Sequence, residues 1–154
     1  MTNWKDAYPR PQLVRDKWLS LDGKWTFSIK KTTEAGLPSQ PKVINVPFCP
    51  ESMLSGLNRL TRQDEIMLYG RGFTIPEEWE GMRLILHLGA VDQIAKVYID
   101  GKFAGSHEGG YLPFSFDITE LLNEGGGKHP SHQFIHYYYS LYPFYGLQKY
   151  EFSL

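Results

Sequence analysis

Apolar and polar residues alternate with a period of two through most of the chain, the spacing of strands with one buried face. Trp25, Phe27 and Ile29 alternate with Lys24, Thr26 and Ser28. Val43, Ile44 and Val46 form a short apolar strand that stops at Pro47, and Phe48 to Asn58 is irregular. Glu65–Tyr69 and Arg71–Ile75 read as two strand pieces interrupted by Gly70 and Gly72. Pro76 to Gly81 predicts a turn that opens on a proline. From Met82 to Leu88 the even positions are apolar, which puts Leu84, Leu86 and Leu88 on one face. Ala95, Val97 and Ile99 alternate with Lys96, Tyr98 and Asp100. Asp100-Gly101 then supplies the two residues that tolerate positive φ in a tight hairpin. Phe103 and Ala104 begin the return strand, and Gly105, Gly109 and Gly110 are expected to break it into a loop carrying His107 and Glu108. Phe114, Phe116 and Ile118 alternate with Ser115, Asp117 and Thr119, and Glu120-Leu121-Leu122 predicts a single helical turn. Many short alternating segments, separated by turns and free of a long amphipathic helix, predict an all-β antiparallel sandwich.

The last stretch differs in kind. After the glycine-rich Glu124–Lys128, residues 129–154 are dominated by tyrosine and phenylalanine and carry only Lys149 and Glu151 as charges. Gln133 to Tyr142 has strand-forming residues, yet Tyr137-Tyr138-Tyr139 shows no polar alternation, so both faces would need cover. The expected organisation is therefore one sandwich over residues 1–128. An atypical tail follows at 129–154, either an aberrant ending or a segment that completes the sheet. The abrupt loss of charge at a glycine run also fits a frameshifted or truncated gene.

Composition narrows the function classes. Sixteen basic and seventeen acidic residues in 154 leave a formal charge of −1, so no field steers the chain to nucleic acid or an anionic membrane. Neither a signal peptide nor a membrane-spanning run is visible, which predicts a cytoplasmic protein. Cys49 is the one cysteine and reads as a small buried hydrophobe. His129, His132 and His136 are spaced like metal ligands but lack flanking carboxylates or cysteines, so no metal or other cofactor is expected.

Five segments, in order and spacing, carry a resemblance to a known family: LVRDKWLSLDGKWTFSI, INVPFCPES, the strand pair leading to FTIPEEW, GMRLILHLGAVDQIAKVYIDGKFAG, and SHEGGYLPFSFDITELL. Together they resemble the N-terminal sugar-binding domain of family 2 glycoside hydrolases, the β-galactosidases and β-glucuronidases. Gly70-Arg71-Gly72 departs, standing where the family has larger polar or aromatic residues. The resemblance implies a jelly-roll domain that packs against an immunoglobulin-like domain and a catalytic (β/α)8 barrel carrying both catalytic glutamates. Such a barrel needs about 250 residues, so the resemblance implies a sugar-binding domain without autonomous activity.

Candidate chemistry follows from both sources. Retaining glycosidases need two carboxylates about 5 Å apart, and Glu77, Glu78, Glu108, Asp117 and Glu120 form no such pair by context. For Asp117 the resemblance implies a carboxylate that reaches the barrel's pocket and accepts from a sugar hydroxyl. The residues alone equally allow an acid capping the backbone N–H groups of the following turn. His107 and Glu108 are candidates for contact with ligand or a neighbouring domain, and Tyr111 for stacking on a sugar face. The expected partners are a carbohydrate, bound weakly or only with the missing domains, and those domains themselves. Self-association is expected as well. Two other readings stay open: a stand-alone carbohydrate-binding module using Tyr98 and Tyr111, and an interaction domain without ligand affinity.

Overall fold

The computed structural model describes residues 17–32, 38–123, 133–140 and 152–153, the last two segments as backbone. Strands run in the order β1 (Gly23–Lys31), β2 (Lys42–Val46), β3 (Glu65–Phe73), β4 (Ile85–Leu88), β5 (Ile94–Ile99), β6 (Lys102–Glu108), β7 (Phe114–Asp117), β8 (Gln133–Ser140) and β9 (Phe152–Ser153). A five-residue helix α1 (Thr119–Asn123) follows β7, and short 310 turns occupy Met53–Ser55 and Glu77–Trp79. Antiparallel pairing builds a six-stranded sheet in the order β2-β1-β3-β8-β5-β6 and a three-stranded sheet in the order β7-β4-β9. This is an all-β sandwich, as the alternation predicts.

Alternation decides what is buried. Trp25 and Phe27 of β1, Ile44 and Val46 of β2, Met67 and Tyr69 of β3, and Ala95, Val97 and Ile99 of β5 face the core. They meet Leu84, Leu86 and Leu88 from the small sheet, and each large side chain so removed from water stabilises the fold by about 1.5–3 kcal/mol. Trp25 satisfies its indole by donating Nε1–H to the Leu21 carbonyl at 2.7 Å. Phe27 meets Tyr69 edge to face, with ring centroids 5.1 Å apart.

Two expectations need correction. Gly70 and Gly72 do not divide β3, which runs unbroken from Glu65 to Phe73 because it is paired along its length with β1 on one side and β8 on the other. Nor do the glycines break β6. Gly105 pairs with Val97 inside the strand, and His107 and Glu108 belong to the strand rather than to a loop. The glycine serves another purpose: a Cβ there would lie 2.3 Å from the Phe116 ring, so its bareness lets that ring rest on the backbone. The hairpin behaves as predicted, with φ of 47° at Asp100 and 79° at Gly101.

β8 joins the two halves of the large sheet. Its backbone pairs with Ile66–Phe73 along one edge and Ile94–Ile99 along the other. Of the strand expected over Gln133–Tyr142, Gln133–Ser140 is internal, with sheet neighbours on both of its edges, and the last two positions lie outside the described residues. No helix among the described residues is long and apolar enough to cross a membrane.

Candidate functional site

The polar end of β6 and the loop that leaves it form the best-built candidate. The imidazole of His107 stacks on Phe114 of β7, with centroids 4.1 Å apart and planes 14° from parallel. Its Nε2 is buried and has no hydrogen-bond partner among the described residues. Beside it the β6–β7 loop is clamped from below: the Gly109 N–H donates to the Gln93 carbonyl at 2.7 Å. Gly110 lies so close to Asp92 that a Cβ would come within 2.4 Å of its carboxylate. Asp92 is itself buried. This clamp displays Tyr111 and Leu112 to solvent, 76% and 69% exposed, and Glu108 is exposed at the end of the strand.

Asp117 sits elsewhere. It ends β7 three residues beyond Phe114, about 10 Å along the strand. His107, Glu108 and Tyr111 are therefore grouped at one end of β7 and Asp117 stands at the other. Its Oδ1 accepts from the Thr119 N–H at 3.1 Å and from the Thr119 hydroxyl at 2.6 Å. The Arg83 Nε–H donates to Oδ2 at 2.6 Å. Thr119 hydroxyl donation, then the Arg83 hydrogen bond and the Thr119 backbone N–H, hold the carboxyl down at about 2. Thr119 Oγ1 in turn accepts from the Leu84 N–H at 2.8 Å, and the Ile118 N–H donates to the Leu84 carbonyl at 3.0 Å. The carboxylate thus ties the start of α1 to the edge of β4, which is the capping role the residues alone allowed.

The remaining acids are placed in structural roles. Glu77 and Glu78 decorate the first turn of the short 310 segment, and Glu120 the first turn of α1. Glu65 is buried and gripped by the Arg59 fork at 2.7 and 3.0 Å. Burial pushes its carboxyl up, but hydrogen bonds from Arg59 and the Arg62 backbone, with the two guanidinium charges, outweigh that and leave it below the usual carboxylate range. Burial likewise raises the Cys49 thiol, so it stays protonated and inert at neutral pH. Tyr98 is half-buried and meets Phe103 edge to face at 5.4 Å. Among the described residues no group of three or more His, Cys, Asp or Glu could hold a metal. His129 and His132 lie outside the described residues, and His136 is described as backbone.

Sequence reasoning missed Asp92, Arg83, the Thr119 hydroxyl and the Arg59–Glu65 pair. Only Asp-x-Thr ahead of a helical turn carried a local signal, that of an acid capping its own chain two residues on.

Comparison with known proteins adds an independent line. A family model described as "Glycosyl hydrolases family 2, sugar binding domain" matches residues 45–131. A β-glucuronidase of Bacteroides fragilis is 44% identical over 105 residues, 68% of this chain and 14% of that protein. A β-galactosidase of Thermoanaerobacter pseudethanolicus is 44% identical over 57 residues, 37% of this chain and 8% of that protein. Among solved structures, a Faecalibacterium prausnitzii β-glucuronidase superposes with a TM-score of 0.65 at 26% identity, covering 87% of this chain and 22% of that one. The chain thus spans less than a quarter of the length of each of these three.

Proposed function

The chain belongs to the glycosyl hydrolase family 2 sugar-binding domains, and from that premise we propose that it is the non-catalytic sugar-facing part of a β-glucuronidase-like hydrolase. Its polar end, built from His107, Glu108 and Tyr111, would wall one side of a pocket whose reacting acids lie in other domains. The observation that carries this reading is the His107 imidazole, fixed by stacking on Phe114, with a buried Nε2 that no described residue engages. A buried polar nitrogen without a partner costs stability, and a hydrogen-bonding group of a sugar or a neighbouring domain would relieve that cost once the nitrogen is opened to it. Glu108 and Tyr111 offer an acceptor and a stacking face beside it. Asp117 holds α1 against β4 through Thr119 and Arg83, and its exposed Oδ2, which accepts only from Arg83, keeps a lone pair for a sugar hydroxyl in the assembled pocket.

The non-catalytic part of the reading rests on where the carboxylates are placed. A general acid needs a raised pKa near the working pH, whereas Asp117 and Glu65 are both held low. The 154-residue chain, purified to homogeneity, is expected to leave nitrophenyl β-glucuronide and β-galactoside intact. It is expected to give little or no calorimetric heat with the corresponding methyl glycosides. Turnover that co-purifies with the chain would refute the proposal. Exposure of Tyr111 favours one second reading, a stand-alone carbohydrate-binding module. Sub-millimolar sugar binding abolished by Tyr111→Ala would establish that reading instead.

A further inference from the structure

A bulge in the β5–β6 ladder turns one large ring from the core to water. In a regular strand Phe103 would share a face with Gly105 and His107, which lie against Phe116 and Phe114 of the small sheet. The register slips instead: Val97 pairs with Gly105 and Tyr98 with Phe103, so Ala104 is the extra residue. Bulges of this kind re-aim a side chain. Phe103 is thereby carried to the outward face, where it is 55% exposed and meets Tyr98 edge to face, with ring centroids 5.4 Å apart. On β5 the core takes Ala95, Val97 and Ile99, which leaves Ile94, Lys96 and Tyr98 on that same outward face. Ile94 stands opposite Glu108 and Lys96 opposite Ser106. Lys96, Ser106 and Glu108 are all exposed. These three cross-strand pairs are successive rungs of one ladder, so they form a continuous strip about 14 Å long.

The strip has an aromatic end and a hydrogen-bonding length. Phe103 and Tyr98 offer ring surface, Lys96 three donors, the Ser106 hydroxyl a donor and an acceptor, and Glu108 acceptors. That combination matches a pyranose chain, whose C–H faces stack on rings while its hydroxyls donate and accept along its flanks. Lys96 and Glu108 cancel in charge, so neither a phosphate backbone nor a polyuronate is drawn to the strip. A single exposed large apolar side chain beside those charges is too little to seat an apolar protein face. We propose that the outward strip of the β5–β6 hairpin binds an uncharged oligosaccharide chain. This surface shares only Glu108 with the pocket wall described above, since His107 faces the other way and Tyr111 stands on the next loop. The proposal therefore holds whether or not the chain walls a hydrolase pocket.

Amide chemical shifts of the 15N-labelled 154-residue chain test it, with cellohexaose, galactohexaose and mannohexaose as the probes. At millimolar concentration at least one of them should move the amides of Lys96, Tyr98, Phe103 and Ser106 and leave those of Tyr111 and Leu112 in place. Phe103→Ala should raise the Kd about tenfold through loss of one stacked ring. The exposed position of that ring should keep the urea midpoint of the variant close to that of the wild type, which separates lost binding from lost folding. Phe103→Tyr should keep the affinity, and Tyr111→Ala should leave it unchanged. The proposal is overturned if none of the three probes moves the strip, if the shifts fall on residues 107–112 instead, or if Phe103→Ala binds as the wild type does. Tighter binding of hexagalacturonate than of all three neutral chains would overturn it as well. So would concentration-dependent shifts of the strip without sugar, matched by a dimer in sedimentation, because a second copy would then be the occupant.

Discussion

Glu65 begins β3 almost without solvent contact, and its charge is tolerated because Arg59 reaches across the preceding loop with both guanidinium nitrogens. Its folded pKa lies below the unfolded value. Its contribution to stability is therefore full above the unfolded pKa and is lost as pH falls through the folded one. Arg59→Ala removes the guanidinium's hydrogen bonds and charge, leaves burial opposed only by the Arg62 backbone N–H and charge, and so moves the carboxyl up. In the variant the buried charge costs most at neutral pH, and the penalty eases as pH falls. Urea denaturation should show a loss of about 2–3 kcal/mol at neutral pH that shrinks towards about pH 5. An equal loss at both would mean that Arg59 is not what keeps Glu65 ionised. At this scale legibility was uneven. Asp100-Gly101 announced its turn because backbone conformation is a local property of residue type. Arg59 and Glu65 gave no sign, because their meeting depends on how a whole loop closes.

The strands were legible where one face is buried and the other wet, as in Trp25–Ile29 and Ala95–Ile99. They were misread where glycine stood inside a strand, because glycine marks both a break and a close approach. Gly105 is the second kind. The Phe116 ring occupies the space a side chain would need, and this contact brings β6 of the large sheet against β7 of the small one. Gly105→Ala should cost about 1–3 kcal/mol through displacement of the ring. Combined with Phe116→Ala, the added methyl should cost markedly less than in the wild-type background. A double-mutant cycle by chemical denaturation measures this coupling, and additivity would place the ring elsewhere. His107 stacks on Phe114 along the same β6–β7 contact. The candidate site was therefore legible as a set of residue types, but its support was not. The sequence also could not reveal that Asp117 lies at the far end of β7, because that separation follows from strand direction.

Strand order is the property of the whole molecule that a period of two cannot encode. Consecutive β3 and β4 lie in different sheets, and β8 arrives late in the chain to fill the gap between β3 and β5. The six-stranded sheet depends on that insertion, since β2-β1-β3 and β5-β6 share no ladder of their own. The tail's composition, read alone, looked foreign to the sandwich. Its Tyr137 nonetheless stands opposite Tyr69 on one side and Val97 on the other, at the centre of both ladders. Proline there removes a backbone donor and cannot be accommodated in a central strand. Tyr137→Pro should therefore lower stability by about 3 kcal/mol or more. It should also release the β3 and β5 amides that face β8 into fast hydrogen exchange, while the β1–β2 ladder, further from the break, stays slower. If exchange at Ile66–Phe73 and Ile94–Ile99 is unaltered in the variant, then β8 does not hold the two halves of the sheet together, and the sandwich must be closed by something else.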